Sequence, residues 1–297
     1  MRAASLALRL SALTLVLFVC FAFASGVVGF VTPQTPQPDG SAALRLVVVC
    51  FLEAAMIANL VLRSSWRGWR LVVAVFVVFY GVTTFMPQIE SAVFLTRLPP
   101  GTVPRLFLMG AVIGAPFSLL AVPILGRTRA GGLDTRSNAR PQMSGSEWAW
   151  KLGIIALAYV VLYFTFGYFI AWQNPALREY YGGVDNGFIS QMGTVLRDTP
   201  WLVPIQILRS LCWVAIAVLV IKMLRGGWLE AALTIALLFS VLMNAQLLLP
   251  NPYMPDTVRM SHLVETASSN FLFGMFVGWL LLSRRSYPLV AAAESAG

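Results

Sequence analysis

Apolar residues run along this chain in long unbroken blocks, separated by short polar or basic breaks. The blocks cover residues 10–31, 44–62, 71–93, 106–125, 152–172, 201–223 and 228–249. An eighth stretch, 251–282, begins as a Pro-rich loop, turns polar at helical spacing, and ends in a continuous apolar run. Blocks of about 18 residues or more match the ~30 Å hydrocarbon core of a bilayer when helical. They do not alternate, so they are not the strands of a transmembrane barrel. The pattern predicts an all-α fold, a polytopic helical membrane protein with about eight transmembrane helices.

The breaks organise those helices. Residues 32–41 are a Pro-rich loop. A basic turn at 63–70 joins the second and third spans, and Pro87 is expected to kink the third. Gly110 and Gly114 have the spacing that lets membrane helices approach closely. Residues 126–151 are basic and rich in small residues, which reads as a cytoplasmic linker. It divides a first membrane half, 1–125, from a second, 152–297, each of about four spans. Arg-Gly-Trp at 67–69 and Arg-Gly-Gly-Trp at 225–228 open the third span of each half, as a duplication would require. Between the fifth and sixth spans, near 185–197, Phe188, Ile189, Met192, Val195 and Leu196 share one helical face. That predicts a periplasmic amphipathic segment lying on the membrane surface. Ala22-Phe23-Ala24 resembles a signal-peptidase site, but the apolar run continues to Val31, which favours an uncleaved first span.

Composition agrees. The chain is 58% hydrophobic and 11% charged, against about one-quarter charged for soluble domains. The net charge of +9 sits at the ends of apolar blocks, the pattern of topology signals rather than of a nucleic-acid surface. Most of the basic residues, from Arg2 and Arg9 to Arg284 and Arg285, fall on the side of the N-terminus. The expected setting is a bacterial-type plasma (inner) membrane with both termini cytoplasmic. The expected partners are the lipid bilayer and a small solute or ion, with no nucleic acid. Cys20, Cys50 and Cys212 lie within apolar segments, so neither a disulfide framework nor a cysteine metal site is expected.

Candidate chemistry comes from polar residues inside the blocks. Glu53 sits near the middle of its span, where an acidic residue is costly and needs a partner. Depth alone nominates Arg209, or the neutral Asn270. His262 is the only histidine, and Glu265 lies one helical turn on, with Ser269 and Asn270 continuing the face. Counted from the basic end of each span, Glu90, Asn244, Gln246, Glu265 and His262 reach one level, with Gln88 beside Glu90. These residues form the expected ion- or proton-binding set (Glu53, Glu90, His262, Glu265, Asn270, Arg209), with Gln88, Asn244, Gln246 and Ser269 as polar support.

A single histidine excludes the HExxH metalloprotease pattern and two-histidine haem ligation. No phosphate loop or dinucleotide fingerprint is present. No cofactor and no metal are expected. Three readings remain. The first is proton- or cation-linked transport of a small solute. The second is an intramembrane hydrolase using His262 with Glu265 or Glu90. The third is a non-catalytic membrane scaffold or assembly factor.

Overall fold

The computed structural model describes residues 3–28, 40–94, 98–128, 141–251 and 253–283. Among them the secondary structure is helical, and the chain is an all-α polytopic membrane protein. The helices are α1 (Ala3–Val28), α2 (Gly40–Arg63), α3 (Gly68–Tyr80), α4 (Met86–Phe94), α5 (Thr102–Ile124) and α6 (Gly145–Phe166). They continue as α7 (Pro175–Tyr181), α8 (Phe188–Asp198), α9 (Leu202–Met223), α10 (Trp228–Leu237) and α11 (Asp256–Leu282). A π turn, Gly81–Phe85, joins α3 to α4, and others at Gly167–Ala171 and Leu238–Leu242 extend α6 and α10. Seven helical stretches among the described residues are long and apolar enough to cross a membrane.

The eighth, α11, is 27 residues long and so about 40 Å, enough to cross, although its first half is polar. It packs against α6, α9, α10 and α7. Glu265, Ser269 and Asn270 are buried in those contacts, so lipid does not meet the polar stripe.

The molecule is dressed for hydrocarbon. Leu8, Leu15, Val19 and Phe23 of α1 and Leu157 and Val161 of α6 are exposed, while Glu53, Gln206, Arg209, Asn244 and Arg259 are buried. The interior is close-packed around aromatic rings. Trp213 packs tilted against Phe239 at 4.2 Å, Tyr159 against Phe273 at 4.7 Å and Phe79 against Phe117 at 5.1 Å, centroid to centroid. The indole N–H of Trp213, fully buried, donates to the Tyr159 hydroxyl at 3.3 Å.

Three sequence expectations gain detail. Pro87 stays within a continuous helical span, and the preceding π turn makes room for it. A proline ring clashes with the carbonyl four residues back, here that of Thr83, which lies in the widened turn. The Met86 N–H reaches five residues back to Gly81, and the Thr83 hydroxyl returns to the Phe79 carbonyl. Secondly, the stretch at 174–181 is helical, where the sequence pattern predicts only a loop. Asn174 caps α7 by accepting from the Ala176 N–H at 3.0 Å, with Pro175 in the first turn. Thirdly, α6 begins at Gly145, inside the span assigned to the linker, where Ser144 accepts from the Glu147 N–H. Residues 129–140 of that linker, and the loop at 32–39, lie outside the described residues. The amphipathic segment near 185–197 is α8, which has no buried residue and leaves Ile189 and Leu196 exposed.

The tightest approach between helices is α10 on α11. A Cβ at Gly274 would stand 2.6 Å from the Cα of Ala236, and one at Gly278 would stand 2.4 Å from the Cα of Ala232. Two glycines and two alanines, each pair four apart, thus bring the backbones together. Gly110 of α5 plays a similar part against Thr84. We predict that Gly278→Leu separates α10 from α11 and costs about 1–3 kcal/mol as overpacking does. Gly153→Ala, with nothing within 4 Å of the added carbon, does not lower stability. Thermal unfolding of the two variants in the same detergent makes the comparison.

Candidate functional site

Four polar systems occupy the interior, toward the end of the bundle opposite the basic turns. The first joins α4 to α9. Arg209, 2% exposed, donates from Nη1 to Glu90 Oε1 at 2.5 Å and to Gln206 Oε1 at 2.8 Å. Gln206 precedes Arg209 by three residues on one face of α9, so the helix supplies the second acceptor itself. The guanidinium carbon lies 5.8 Å from the centre of the Tyr159 ring.

The second system joins α7 to α11. The Tyr181 hydroxyl is 3.1 Å from His262 Nε2, and His262 Nδ1 is 2.9 Å from Glu265 Oε2. Burial pushes the Tyr181 phenol above its ordinary value, with Tyr180, Glu90 and Glu265 adding to the shift. The phenol therefore keeps its proton and acts as donor. With a neutral imidazole, Tyr181 donates to Nε2 and Nδ1–H donates to Glu265, which fixes the tautomer. Gly167, in the π turn after α6, lies alongside Glu265: a carbon added there would sit 3.6 Å from Oε1.

The third system ties α10 to α11. The Thr266 hydroxyl donates to Asn244 Oδ1 at 2.5 Å and is equally near the His262 carbonyl. Asn244 Nδ2 donates to the Ser240 carbonyl, and the Ser240 hydroxyl donates to the Ala267 carbonyl, both at 2.7 Å. Asn270 Nδ2 approaches Met243 Sδ at 3.0 Å.

The fourth system stands apart. Glu53 of α2 is fully buried and accepts from Gln246 Nε2 at 3.1 Å through Oε1. Its second oxygen, Oε2, has no protein partner.

The first three systems meet at one small cavity. Glu90, Arg209, Glu265, Ser269 and Asn270 line it, together with Tyr159, Tyr163 and Thr266. Its volume, about 20 Å³, holds roughly one water molecule. Five residues singled out from the sequence therefore share one wall, with His262 behind Glu265. Gln246 and Glu53 lie outside the cavity lining, and so does Gln88, whose Oε1 is buried with no protein partner.

Depth suggested Arg209 or Asn270 as the partner of Glu53, and the structure corrects both. Arg209 turns to Glu90 and Asn270 to Met243, while Glu53 meets Gln246. Sequence reasoning also passed over Gln206, Tyr159, Tyr163 and Tyr181. Gln206 was within reach of it, being a polar residue one turn from a buried arginine. Tyr181 was not, because its role depends on α7 folding back onto α11.

Among the described residues no group of three or more His, Cys, Asp and Glu side chains is arranged to hold a metal ion. Comparisons with protein-family models, with curated proteins and with solved structures find no match.

The pair Glu90–Arg209 makes a direct prediction. Arg209→Met leaves Glu90 and Gln206 facing a buried apolar side chain, and breaking a buried pair costs about 3–5 kcal/mol. Arg209→Met with Glu90→Leu removes both charges and recovers most of that loss. Thermal unfolding of wild type, the single variant and the double variant in detergent measures the coupling.

Proposed function

We propose that the protein is a proton-linked transporter of a small solute in a bacterial-type plasma membrane, with its basic end in the cytoplasm. The observation that carries this reading is the chain Tyr181–His262–Glu265, which leads from α7 to a buried cavity shared with Glu90 and Arg209. Such a chain moves a proton by local exchange. When the Tyr181 hydroxyl gives its proton to Nε2 and takes a replacement from water outside, the Nδ1 proton passes to Glu265, one step nearer the cavity. The water-sized space there lies between Glu265 and Glu90.

Proton coupling fits this site better than a metal cation does. Arg209 already supplies a fixed positive charge against Glu90, and it repels a second cation. A proton on Glu90 instead removes the charge that holds Arg209, and so loosens α4 from α9. The cavity has room for a water and nothing larger. The arrangement described is thus closed to any solute, and transport requires the helices around it to part.

The geometry does not favour the hydrolase reading. Both nitrogens of His262 are bonded to protein groups, Tyr181 and Glu265, so an attacking water has no direct contact with the ring, whereas a proton can pass along those same bonds. The scaffold reading explains the buried pairs but leaves the Tyr181–His262–Glu265 chain without a use.

The test is proton binding by purified protein in liposomes that contain a pH-sensitive dye. After a rapid pH jump, wild type takes up protons beyond those taken up by empty liposomes. Glu265→Gln and His262→Ala both take up fewer protons than wild type, and Tyr181→Phe slows uptake, at unchanged elution volume on size exclusion. Wild-type uptake equal to that of empty liposomes would sink the proposal. Equal uptake by wild type and Glu265→Gln would do the same.

A further inference from the structure

Two turns at the basic end of the molecule face each other. Ser64 and Leu224 form an isolated antiparallel bridge, and the Ser65 N–H donates to the Met223 carbonyl at 2.6 Å. Each turn ends in a Gly-Trp pair, Gly68-Trp69 and Gly227-Trp228, and each tryptophan is exposed. Antiparallel pairing of two equivalent segments is what a two-fold axis produces.

The packing follows the same axis. α1 packs on α2 and α5, and α3 packs on α5. In parallel, α6 packs on α9 and α11, and α10 packs on α11. The contacts between the two sets also exchange, α3 with α9 and α2 with α10. A π turn interrupts the third span of each set, at Gly81–Phe85 and at Leu238–Leu242. The fourth helix of each set carries two glycines four apart that face the third, Gly110 and Gly114 against Gly274 and Gly278.

The polar pairs obey the repeat as well. With Trp69 set against Trp228, Glu53 of α2 corresponds to position 212 of α9, and Arg209 lies three residues beyond it. Gln246 corresponds to position 87, and Glu90 again lies three residues beyond it. Both shifts point away from the basic end, by about 4.5 Å at 1.5 Å per residue. Each pair also joins the second helix of one set to the third span of the other. The operation that carries one pair onto the other is the one that exchanges the turns.

We infer that the chain is two four-helix repeats related by an approximate two-fold axis along the membrane normal, and that Glu53 with Gln246 is a second, inner proton-binding station equivalent to Glu90 with Arg209. The inference rests on the proton-linked reading and adds a second site to it. Its chemistry differs from the first. Under the repeat Glu53 takes the place of Arg209 and Gln246 that of Glu90, so the inner pair is a carboxyl with a neutral amide and no guanidinium in the pair competes with a proton at Glu53. Its free oxygen, Oε2, is buried with no protein partner, and a proton bound there neutralises a charge that burial makes costly. Cys50, on the same helix, is close enough to interact electrostatically with Glu53, and Cys20 of α1 interacts with Cys50 in turn. The nearest polar group from another element is Gln246.

The experiment is the same pH jump on liposomes holding wild type, Glu53→Gln, Glu53→Asp, Glu265→Gln and the Glu53→Gln/Glu265→Gln double variant. We expect Glu53→Gln to bind about one proton fewer per chain, Glu53→Asp to restore it, and the double variant to lose both contributions. If Glu265→Gln loses uptake while Glu53→Gln matches wild type, the outer site stands and the inner station is overturned. If neither differs from wild type, both fail. Should Glu53→Gln aggregate, the infrared carboxyl band of folded Gln246→Leu decides. A band that shifts from its wild-type position and responds to pH supports the station, and an unchanged band overturns it.

Discussion

A charged or polar group inside a bilayer must bring its own partner, because no water is there to supply one. That constraint arranges the interior of this protein. Arg209 is held by Glu90 and Gln206, Glu265 by His262, Glu53 by Gln246, and Arg259 by the Leu247 carbonyl and Asp256. Three of these bonds, Arg209–Glu90, Glu53–Gln246 and Arg259–Leu247, cross between helical segments, so each also fixes how two of them are turned and how deep they sit. Without a hydrophobic force between helices in lipid, such polar links and close backbone packing do the work of assembly. The approach of Gly274 and Gly278 to Ala236 and Ala232 supplies the packing. The buried pairs supply the register.

The π turns belong to the same constraint. Each inserts a residue into an otherwise α-helical span and rotates the rest of that span by about 100°, the angle of one residue. The turn at Gly81–Phe85 redirects α4 so that Glu90 meets Arg209. The turn at Leu238–Leu242 brings Ser240 to the Ala267 carbonyl and precedes Asn244 and Gln246. The turn at Gly167–Ala171 places Gly167, which has no side chain, against Glu265. All three lie next to the polar systems.

The sequence disclosed the class and the spans because those depend on composition over some twenty residues, which a membrane fixes almost by itself. It also disclosed which residues sit at depth. Glu53, Glu90, His262, Glu265 and Asn270 were all visible as polar residues within apolar blocks. Partners were not visible. Depth along the normal is a count of residues, but a partner depends on rotation about each helix axis, and an unforeseen π turn changes that rotation for every later residue in the span. Arg209 and Glu53 were therefore matched by depth although they point to different neighbours. Tyr181 was hidden for another reason: its loop reads as polar and Pro-initiated, and only the fold-back of α7 brings it to His262.

The cavity ties these points to function. Three polar systems from different helices converge on a space of about 20 Å³. A group of ionisable side chains serving only to lock helices needs no such space, since direct contact stabilises a pair better than contact through a water. An ionisable chain that ends in a water-sized space has what proton transfer requires: donors in sequence and a gap that a water bridges. Transport, as proposed, adds one step to this. Glu90 and Arg209 belong to different spans, and their bond lies on the wall of the cavity. On that reading a solute enters only when this bond yields, and a proton delivered to Glu90 through His262 is what weakens it. Coupling between proton and solute would then need no added device, because one ion pair would close the space and one proton would open it.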